Sequence, residues 1–531
     1  MITLEIMPPL MFGGLVLAML IGFPVAFTLA AVGLSFGFLS IYLGFFDMNF
    51  LQAIPGRIFG SVLSNELLLA IPFFTFMGAV LERCGLAEDM LDSMGQLFGP
   101  VRGGLGYSVI IVGFILGAIT GTVAGQVIAM ALISMPIMMR CKYNMRYTTG
   151  VLAASGTITQ LVPPSLVLIV LADQLGKSVG DMYLGAWGPS VVQVALFALY
   201  TYLLGIFRPD DVPPVPREDL TLRGWALWKE CLLGIVPSAV LIFVVLGTMF
   251  LGLATPTEAG AMGAVGAGVL AVMHHKGFSA TGMKVLIAGL VAAAIGIVVG
   301  VWGLPNWMFE AAFAVVYAAV AWILIEGWRI ADLRGLFVQG YQQTMRITSM
   351  VTFILIGATC FSVVFLGVDG NKWLEHMLTS MPGGPWGFLA FINVFIFFLA
   401  FFLDFFEIAF IILPMIGPIA QLQLSPIVGP DNALIWFGVM LCVNMQTSFM
   451  HPPFGFALFY LRGVAPKEVK SSDIYWGALP WVGLQLILVA LVIVFPSIVT
   501  VLLDKPANVD LNAIHFQAPP ADDSGPPPSF K

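Results

Sequence analysis

Two clusters of hydroxyl and amide side chains each lie a few residues before a pair of prolines, Pro163-Pro164 and Pro452-Pro453. Proline removes a backbone donor and clashes with the preceding helical turn, so each pair should break its helix and free backbone carbonyl groups. Hard cations take oxygen ligands, and the N-termini of half-helices favour carboxylates. The clusters therefore predict non-covalent coordination of an ion and an anion. Their members are Ser155, Gly156, Thr157, Thr159, Asn444, Gln446, Thr447 and Ser448.

A simpler interpretation of these clusters is that each Ser or Thr bonds only to its own helix. That interpretation suits a single residue, whereas two matched clusters beside two Pro-Pro breaks favour a binding site. Within this site we expect a hard cation near Ser155, Thr157, Asn444 and Thr447.

Two predicted turns between short apolar pieces carry further candidates. Thr120, Gly121 and Thr122 would present hydroxyl and backbone amide groups to the same cavity. Asp404 and Glu407 stand at the second turn, and carboxylates at membrane depth are usually functional. If the predicted spans end a few residues earlier or later, these two carboxylates lie in an aqueous loop instead.

Two other polar residues could have structural roles instead of functional ones. Glu258 follows Thr255-Pro256, a sequence that suits the start of a helix, so we expect helix capping rather than a ligand role. His451 precedes Pro452, where it is either a structural residue or a proton relay, and the structural role is the commoner one for a lone buried histidine.

The composition places these residues in a membrane. Of 531 residues, 59% are hydrophobic and 10% are charged, and the mean hydropathy is +0.99, unlike any soluble globular protein. The apolar runs are continuous and several can cross a bilayer, so we predict an all-α polytopic membrane protein. No basic cluster indicates nucleic acid. No P-loop, H-E-x-x-H or G-x-S-x-G motif occurs, so an enzyme is not expected.

The elements that position the clusters form a pattern that occurs twice. In each copy, two half-length apolar pieces predict a re-entrant hairpin, which is followed by a broken span and a full span. Aligning the two proline pairs also brings Tyr183-Leu184-Gly185-Ala186 onto Tyr475-Trp476-Gly477-Ala478, with a small gap. The segments are 103–119, 124–139, 150–189 and 183–206 in the first copy, and 385–403, 408–420, 433–460 and 474–503 in the second.

Basic residues give each copy a direction, because Arg and Lys favour cytoplasmic loops. If Arg140 and Arg146 are cytoplasmic, the first broken span runs outward and the second runs inward to Arg462 and Lys467. The two copies are then inverted repeats, a frequent feature of transporters that work by alternating access.

Several long segments, in order, resemble the large membrane (permease) subunit of tripartite ATP-independent periplasmic (TRAP) transporters. The resemblance covers about residues 10–270 and 340–500. Two departures are a first hairpin tip with threonines where the family tends to have serines, and an added pair of spans near 285–327. The segments are ALISMPIM, GVLAASGTITQLVPPS, SVGDMYLGAWGP, ATPTEAGAMGAVGA and HPPFGFALFYLRGVAP.

The resemblance implies an elevator-type ion-transporter fold, in which a mobile domain holding both hairpins and both broken helices moves against a scaffold, driven by a sodium gradient. The cation expected near Ser155, Thr157, Asn444 and Thr447 is then sodium, as a coupling ion, and no other cofactor is expected. It implies two protein partners, a small membrane subunit and a periplasmic substrate-binding protein that delivers an organic anion, usually a carboxylate. It also implies a bacterial inner membrane location. The alternative is a stand-alone sodium/anion symporter of a related fold.

The expected domain organisation follows from the repeat. It comprises N-terminal scaffold spans with an interfacial helix (1–102), the first repeat (103–206), a cytoplasmic linker (207–230), further scaffold spans that include the added pair (231–384), the second repeat (385–503) and a disordered tail (504–531).

Overall fold

Long apolar segments fold as helices because a helix satisfies its own backbone hydrogen bonds without water. A computed structural model describes residues 3–503 except 217, 219, 222, 276, 303, 304, 402 and 454; the predicted tail, 504–531, lies outside the described residues. Every regular element of the described chain is a helix. Eight of these helices are long and apolar enough to cross a membrane, or up to eleven spans if each of three bent helix pairs is counted as one. The predicted all-α multi-pass fold is confirmed.

The N-terminal part begins with two apolar helices that are separated at Gly22 and Pro24. Residues 47–66 mix charged and apolar residues, which predicts the interfacial helix, and they form two short helices and a π-helical segment, Ile58–Leu63. The α-helices of this part are α1 (Met7–Leu20), α2 (Val25–Tyr42), α3 (Met48–Leu51), α4 (Ala53–Arg57), α5 (Ala70–Arg83) and α6 (Leu86–Phe98).

Residues 83–102 contain glycines and charges of both signs, which predicts a polar connector, and the structure places the helix α6 over most of this segment. Leu86, Met90 and Met94 recur at helical spacing, and all three side chains are buried. Charged residues on the opposite face, among them Glu88 and Asp89, concealed this amphipathic pattern in the hydropathy of the segment.

The first repeat consists of a helical hairpin, a broken helix and a long helix. The hairpin turns at Gly121, whose φ of 61° suits glycine. The broken helix ends its first half at Thr157, continues as a 3-10 turn over Ile158–Gln160, and resumes at Leu166. The α-helices are α7 (Gly104–Thr120), α8 (Val123–Arg140), α9 (Met145–Thr157), α10 (Leu166–Leu175) and α11 (Val179–Phe207).

The middle helices include one that is much longer than the sequence predicted. The apolar run 347–367, whose length predicts one span, belongs to a helix that begins at Ala331 and has 37 residues, about 55 Å in length. The predicted start is wrong because Arg334 and Arg346 lie on the exposed face of a helix whose other face is buried. The α-helices are α12 (Trp225–Phe250), α13 (Pro256–His274), α14 (Ala280–Val301), α15 (Asn306–Arg329), α16 (Ala331–Gly367) and α17 (Gly370–Thr379).

The second repeat has the same order of elements as the first. The return arm of its hairpin is interrupted at Ile412 and bends there by 66°. The broken helix ends its first half at Met445, followed by a 3-10 turn over Gln446–Phe449, and resumes at Phe456; the peptide bonds of both Pro-Pro pairs are cis. The α-helices are α18 (Gly384–Leu399), α19 (Phe405–Ile411), α20 (Leu413–Val428), α21 (Pro430–Met445), α22 (Phe456–Val464), α23 (Ser471–Val494) and α24 (Ser497–Thr500).

The two repeats pack on each other crosswise. Each long helix contacts the first half of the other repeat's broken helix, as α11 contacts α21 and α23 contacts α9. Each hairpin's return arm contacts the second half of the other repeat's broken helix, as α8 contacts α22 and α19 contacts α10. The repeats therefore form one interlocked unit around their breaks.

Contacts between the loops divide the helix ends into two sets. The first set contains contacts of basic loops with acidic residues and contacts of the linker. The second set contains two hydrogen bonds, from the side chain of Asn65 to that of Asp173 (2.7 Å) and from the side chain of Thr257 to the backbone carbonyl of Glu66 (2.9 Å). The helices α5 and α13 and the broken helix α9–α10 each have one end in the first set and the other end in the second. They therefore run between the same two faces of the protein. The contacts of the first set are Arg146–Asp473 (3.3 Å), Asn144–Asp211 (2.8 Å), Val215–Gly99 (2.9 Å) and His274–Asp89 (3.2 Å).

Candidate functional site

The first break buries its polar side chains completely. Ser155, Thr157 and Thr159 are at most 1% exposed, although they lie in an apolar chain. Thr157 Oγ1 donates to the carbonyl of Ala154 (2.8 Å), and Thr159 Oγ1 donates to that of Gly156 (2.5 Å). These bonds match the simpler interpretation, in which a hydroxyl bonds to its own helix. They also hold both hydroxyl groups at the point where the helix ends.

A buried glutamine that the sequence did not single out ties the first hairpin to this break. Gln126 of α8 donates to the carbonyl groups of Gly113 (2.7 Å) and Ser155 (3.1 Å), and it also hydrogen-bonds to the Thr159 hydroxyl. A glutamine side chain can satisfy several backbone groups at once, which a broken helix requires. The hairpin and the break therefore share one hydrogen-bond network.

The second break has a corresponding link to its own hairpin. Asn444 donates to the backbone carbonyl (2.8 Å) and the side-chain oxygen (3.0 Å) of Asn393 on α18. Thr447 Oγ1 donates to the carbonyl of Asn444 (2.7 Å). Asn444, Thr447 and Gln446 are at most 1% exposed, and Ser448 is 6% exposed.

The two breaks also contact each other. The thiol of Cys442, on α21, donates to the carbonyl of Gln160 in the first break (3.3 Å). Thr157 Oγ1 lies 4.0 Å from the sulfur of Met450 in the second break. The two predicted clusters therefore form a single buried region.

Oxygen atoms without partners occur at matching positions of the two breaks. The alignment that places Pro163 on Pro452 also places Ser155 on Asn444. Ser155 Oγ and Asn444 Oδ1 are both fully buried and have no hydrogen-bond partner in the described protein, and the same is true of Ser448 Oγ. An unpaired buried oxygen is unfavourable, and coordination of a cation would relieve it.

The carboxylates at the second hairpin tip cap a helix. Asp404 accepts from the backbone N–H of Phe405 (2.6 Å), and Glu407 accepts from that of Asp404 (2.9 Å), which completes a capping box at the start of α19. Neither side chain has a described hydrogen bond to the breaks, although Phe405 and Phe449 bring the tip beside the second one (ring centroids 6.2 Å apart).

Glu258 and His451 have structural roles in the fold. Thr255 and Glu258 form a capping box at the start of α13, as predicted. His451 lies between two phenylalanine rings, 4.1 Å from Phe401 and 4.4 Å from Phe397 by ring centroids, which gives it a packing role.

The first hairpin tip is approached by a carboxylate that the sequence did not single out. Thr122 precedes α8, and Gly121 lies close enough to Leu166 that a Cβ at Gly121 would be 3.6 Å from it. Glu82 of α5 rests against the first turn of α8, where a Cβ at Gly125 would lie 1.7 Å from its Oε2. The tip therefore lies between the first break and a helix outside the repeats.

Paired hairpins, paired broken helices and buried polar breaks define the class of this chain, a multi-pass helical membrane protein built from an internal repeat. The family model for the tripartite ATP-independent periplasmic transporter, DctM component, matches residues 12–311 and 281–498. The chain belongs to this family. It is therefore the large permease component of a transporter that also has a small membrane subunit and a periplasmic binding protein.

Known proteins with similar sequences include transporter permeases from several bacteria. The C4-dicarboxylate TRAP transporter large permease protein DctM of Pseudomonas aeruginosa is 26% identical over 81% of this chain and 84% of its own length. The sialic acid TRAP transporter large permease protein SiaM of Vibrio cholerae is 24% identical over 90% of this chain and 93% of its own. Among solved structures, the YdaH transporter of Alcanivorax borkumensis aligns over 84% of this chain and 87% of its own, with 14% identity and a TM-score of 0.47.

Proposed function

We propose that this chain is the sodium-coupled membrane subunit of a bacterial inner-membrane importer, which receives an organic anion from a periplasmic binding protein. The observation that carries the proposal is the pair of unpartnered buried oxygens, Ser155 Oγ and Asn444 Oδ1, at matching positions of the two breaks. Sodium would bind near them, assisted by Thr157, Thr447 and freed backbone carbonyls.

The substrate is a carboxylate in this proposal. The named relatives transport a C4-dicarboxylate and sialic acid, both of which carry carboxylates. The first hairpin tip begins a new helix at Val123, and the N-terminus of a helix favours an anion. Charge balance gives the sodium ions a second role, since they offset the negative substrate at membrane depth.

Transport would proceed by an elevator movement of the interlocked repeats, 103–206 and 385–503. The scaffold would be 1–102 and 231–384, in which α16 contacts α2 and α5, and α13 contacts α5 and α12. The helices near 285–327 would be an addition to the scaffold, and the two family-model matches overlap at 281–311, which covers much of that region. The linker, 207–230, and the loops with basic residues would face the cytoplasm.

Reconstitution into proteoliposomes tests this function. The chain, its small membrane subunit and its binding protein would be combined, after thermal-shift screening of the binding protein against C4-dicarboxylates and sialic acid to choose the labelled substrate. We expect uptake that requires both an inward sodium gradient and the binding protein. Uptake that continues when potassium replaces sodium under a proton gradient would contradict sodium coupling, and uptake without the binding protein would favour a stand-alone symporter.

A further inference from the structure

Two glutamines occupy equivalent positions in the long helices of the two repeats. Tyr183 aligns with Tyr475, and ten residues further on, Gln193 aligns with Gln485. Gln193 lies in α11 and Gln485 in α23, and both side chains are 0% exposed. Burying an uncharged amide is unfavourable unless it is hydrogen-bonded, so a fully buried glutamine at the same place in both repeats calls for a reason.

Each glutamine reaches across to the break of the other repeat. Gln485 Nε2 donates to Thr157 Oγ1 in the first break (2.9 Å). Gln193 Nε2 donates to Gln446 Oε1 in the second break (2.7 Å). The alignment of the proline pairs places Thr157 on Gln446, so the two hydrogen bonds are equivalent under the repeat.

The remaining polar atoms repeat the same pattern. Oε1 of Gln193 and Oε1 of Gln485 are both buried and have no hydrogen-bond partner in the described protein. Both glutamines therefore use one amide atom to hold the opposite break and leave one oxygen unpaired inside it. Apolar side chains of similar volume would fill both positions without this desolvation, so packing alone does not explain the two glutamines.

Close helix contacts keep the two glutamines in reach of the breaks. Gly477, eight residues before Gln485, lies against the backbone of α9, where an added Cβ would be 2.2 Å from the carbonyl oxygen of Arg146. Its equivalent, Gly185, lies against α21, where an added Cβ would be 3.1 Å from Ile435 Cγ2. The side chains are thus set by the crosswise packing of the repeats.

We propose that Gln193 and Gln485 are equivalent positioning residues, each holding the break of the other repeat in its ion-binding geometry and so coupling the two half-sites. This inference rests on the proposed sodium site. Gln485 orients the Thr157 hydroxyl, which in turn donates to the carbonyl of Ala154 (2.8 Å). Gln193 fixes the Gln446 side chain, two residues after Asn444. Loss of either glutamine weakens sodium binding at both breaks.

The test is sodium-dependent thermal stability of the full-length chain purified with its small membrane subunit, with sodium chloride titrated against choline chloride. Gln193→Met and Gln485→Met remove the hydrogen bonds at similar side-chain volume. We expect each to raise the sodium concentration at the midpoint of stabilisation about tenfold, the size of effect expected for one buried hydrogen bond. The two shifts should be equal within about threefold, because the repeat makes the contacts equivalent.

A matched control separates positioning from general stability. Thr201, also on α11 and 0% exposed, hydrogen-bonds to Tyr147 (2.9 Å), which lies ten residues before the end of α9 at Thr157. Thr201→Val should lower stability at every sodium concentration and leave the sodium midpoint in place. The double variant Thr157→Val, Gln485→Met should shift the midpoint no further than the larger of its single variants, since both lose the same hydrogen bond.

The outcomes distinguish the inference from the proposed function. If sodium does not stabilise the unaltered complex at all, sodium coupling itself is contradicted. If sodium stabilises the unaltered complex, but the glutamine variants keep its midpoint and only lower stability as Thr201→Val does, the two glutamines are structural and the inference is overturned. If only one of them shifts the midpoint, the equivalence of the two half-sites is contradicted.

Discussion

Substitutions of single side chains at the breaks distinguish ion ligands from structural residues. Ser155 Oγ has no partner in the described protein, so Ser155→Ala removes no hydrogen bond. Without sodium, we expect this variant to be as stable as the unaltered complex or more stable, because an unpaired buried hydroxyl is lost. With sodium, its stabilisation should need a concentration about tenfold higher.

Thermal denaturation with and without sodium checks this pair of expectations. Ser108→Ala is the matched control, since the Ser108 hydroxyl is buried but donates to the carbonyls of Met94 (2.7 Å) and Gly104 (3.0 Å). That control should lose stability and keep the sodium midpoint. A Ser155→Ala complex that loses stability without sodium, like Ser108→Ala, would show that its hydroxyl has a structural partner.

The carboxylate of Asp404 gives a second prediction at this scale. Asp404→Ala should lower stability by about 1 kcal/mol, because α19 loses its cap, whereas Asp404→Asn should retain it, since Asn caps as well as Asp. Thermal denaturation of both variants in the same detergent measures the difference. Equal losses in the two variants would mean that the negative charge, and not the cap, is what stabilises this tip.

The polar residues that the structure places at or against the breaks differ in how visible they are in the sequence, for a physical reason. Ser155, Thr157, Asn444 and Gln446 lie six to eight residues before a Pro-Pro pair that breaks their helix, so their setting is visible locally. Gln126, Gln193 and Gln485 lie inside regular helices and acquire their roles only through tertiary contacts. The alignment of the repeats, extended ten residues past Tyr183, would have found the last two.

At the scale of elements, hydropathy predicted the apolar helices and missed the amphipathic ones. Both hairpins, both broken helices and both long helices of the repeats lie where the sequence indicated. By contrast, α6, α17 and the first half of α16 carry charges on an exposed face. Because hydropathy detects only long apolar runs, it misses helices whose apolar residues lie on one face.

The crosswise contact between α23 and α9 yields a prediction for these elements. Gly477→Ala should destabilise the complex by about 1–3 kcal/mol, because its Cβ would overlap the backbone carbonyl of Arg146, which cannot move aside. Gly483→Ala, in the same helix with open space around it, should be neutral or slightly stabilising. Thermal denaturation of both variants checks the contact. Equal effects of the two substitutions would mean that α23 does not pack against α9 at Gly477.

At the scale of the whole molecule, inversion of the repeats can be tested by accessibility. Lys177 follows the first broken helix and Lys467 follows the second, so inverted repeats place them on opposite sides of the membrane. In intact spheroplasts, a membrane-impermeant maleimide should label Lys177→Cys at once and Lys467→Cys only after permeabilisation. The unaltered chain is the control, since four of its five cysteines are buried and Cys84 is half-buried. Labelling of both variants in intact spheroplasts would contradict the inversion.

The central claim is that two broken helices from opposed repeats form one sodium-coupled transport site. The most direct measurement is entry of radioactive sodium into proteoliposomes during substrate uptake by the complete three-component transporter. We predict that sodium enters with the substrate, and that a Ser155→Ala, Asn444→Leu double variant that still folds and binds its partners loses both fluxes at low sodium. Substrate uptake without sodium entry, or coupled fluxes unchanged in the double variant, would contradict the claim.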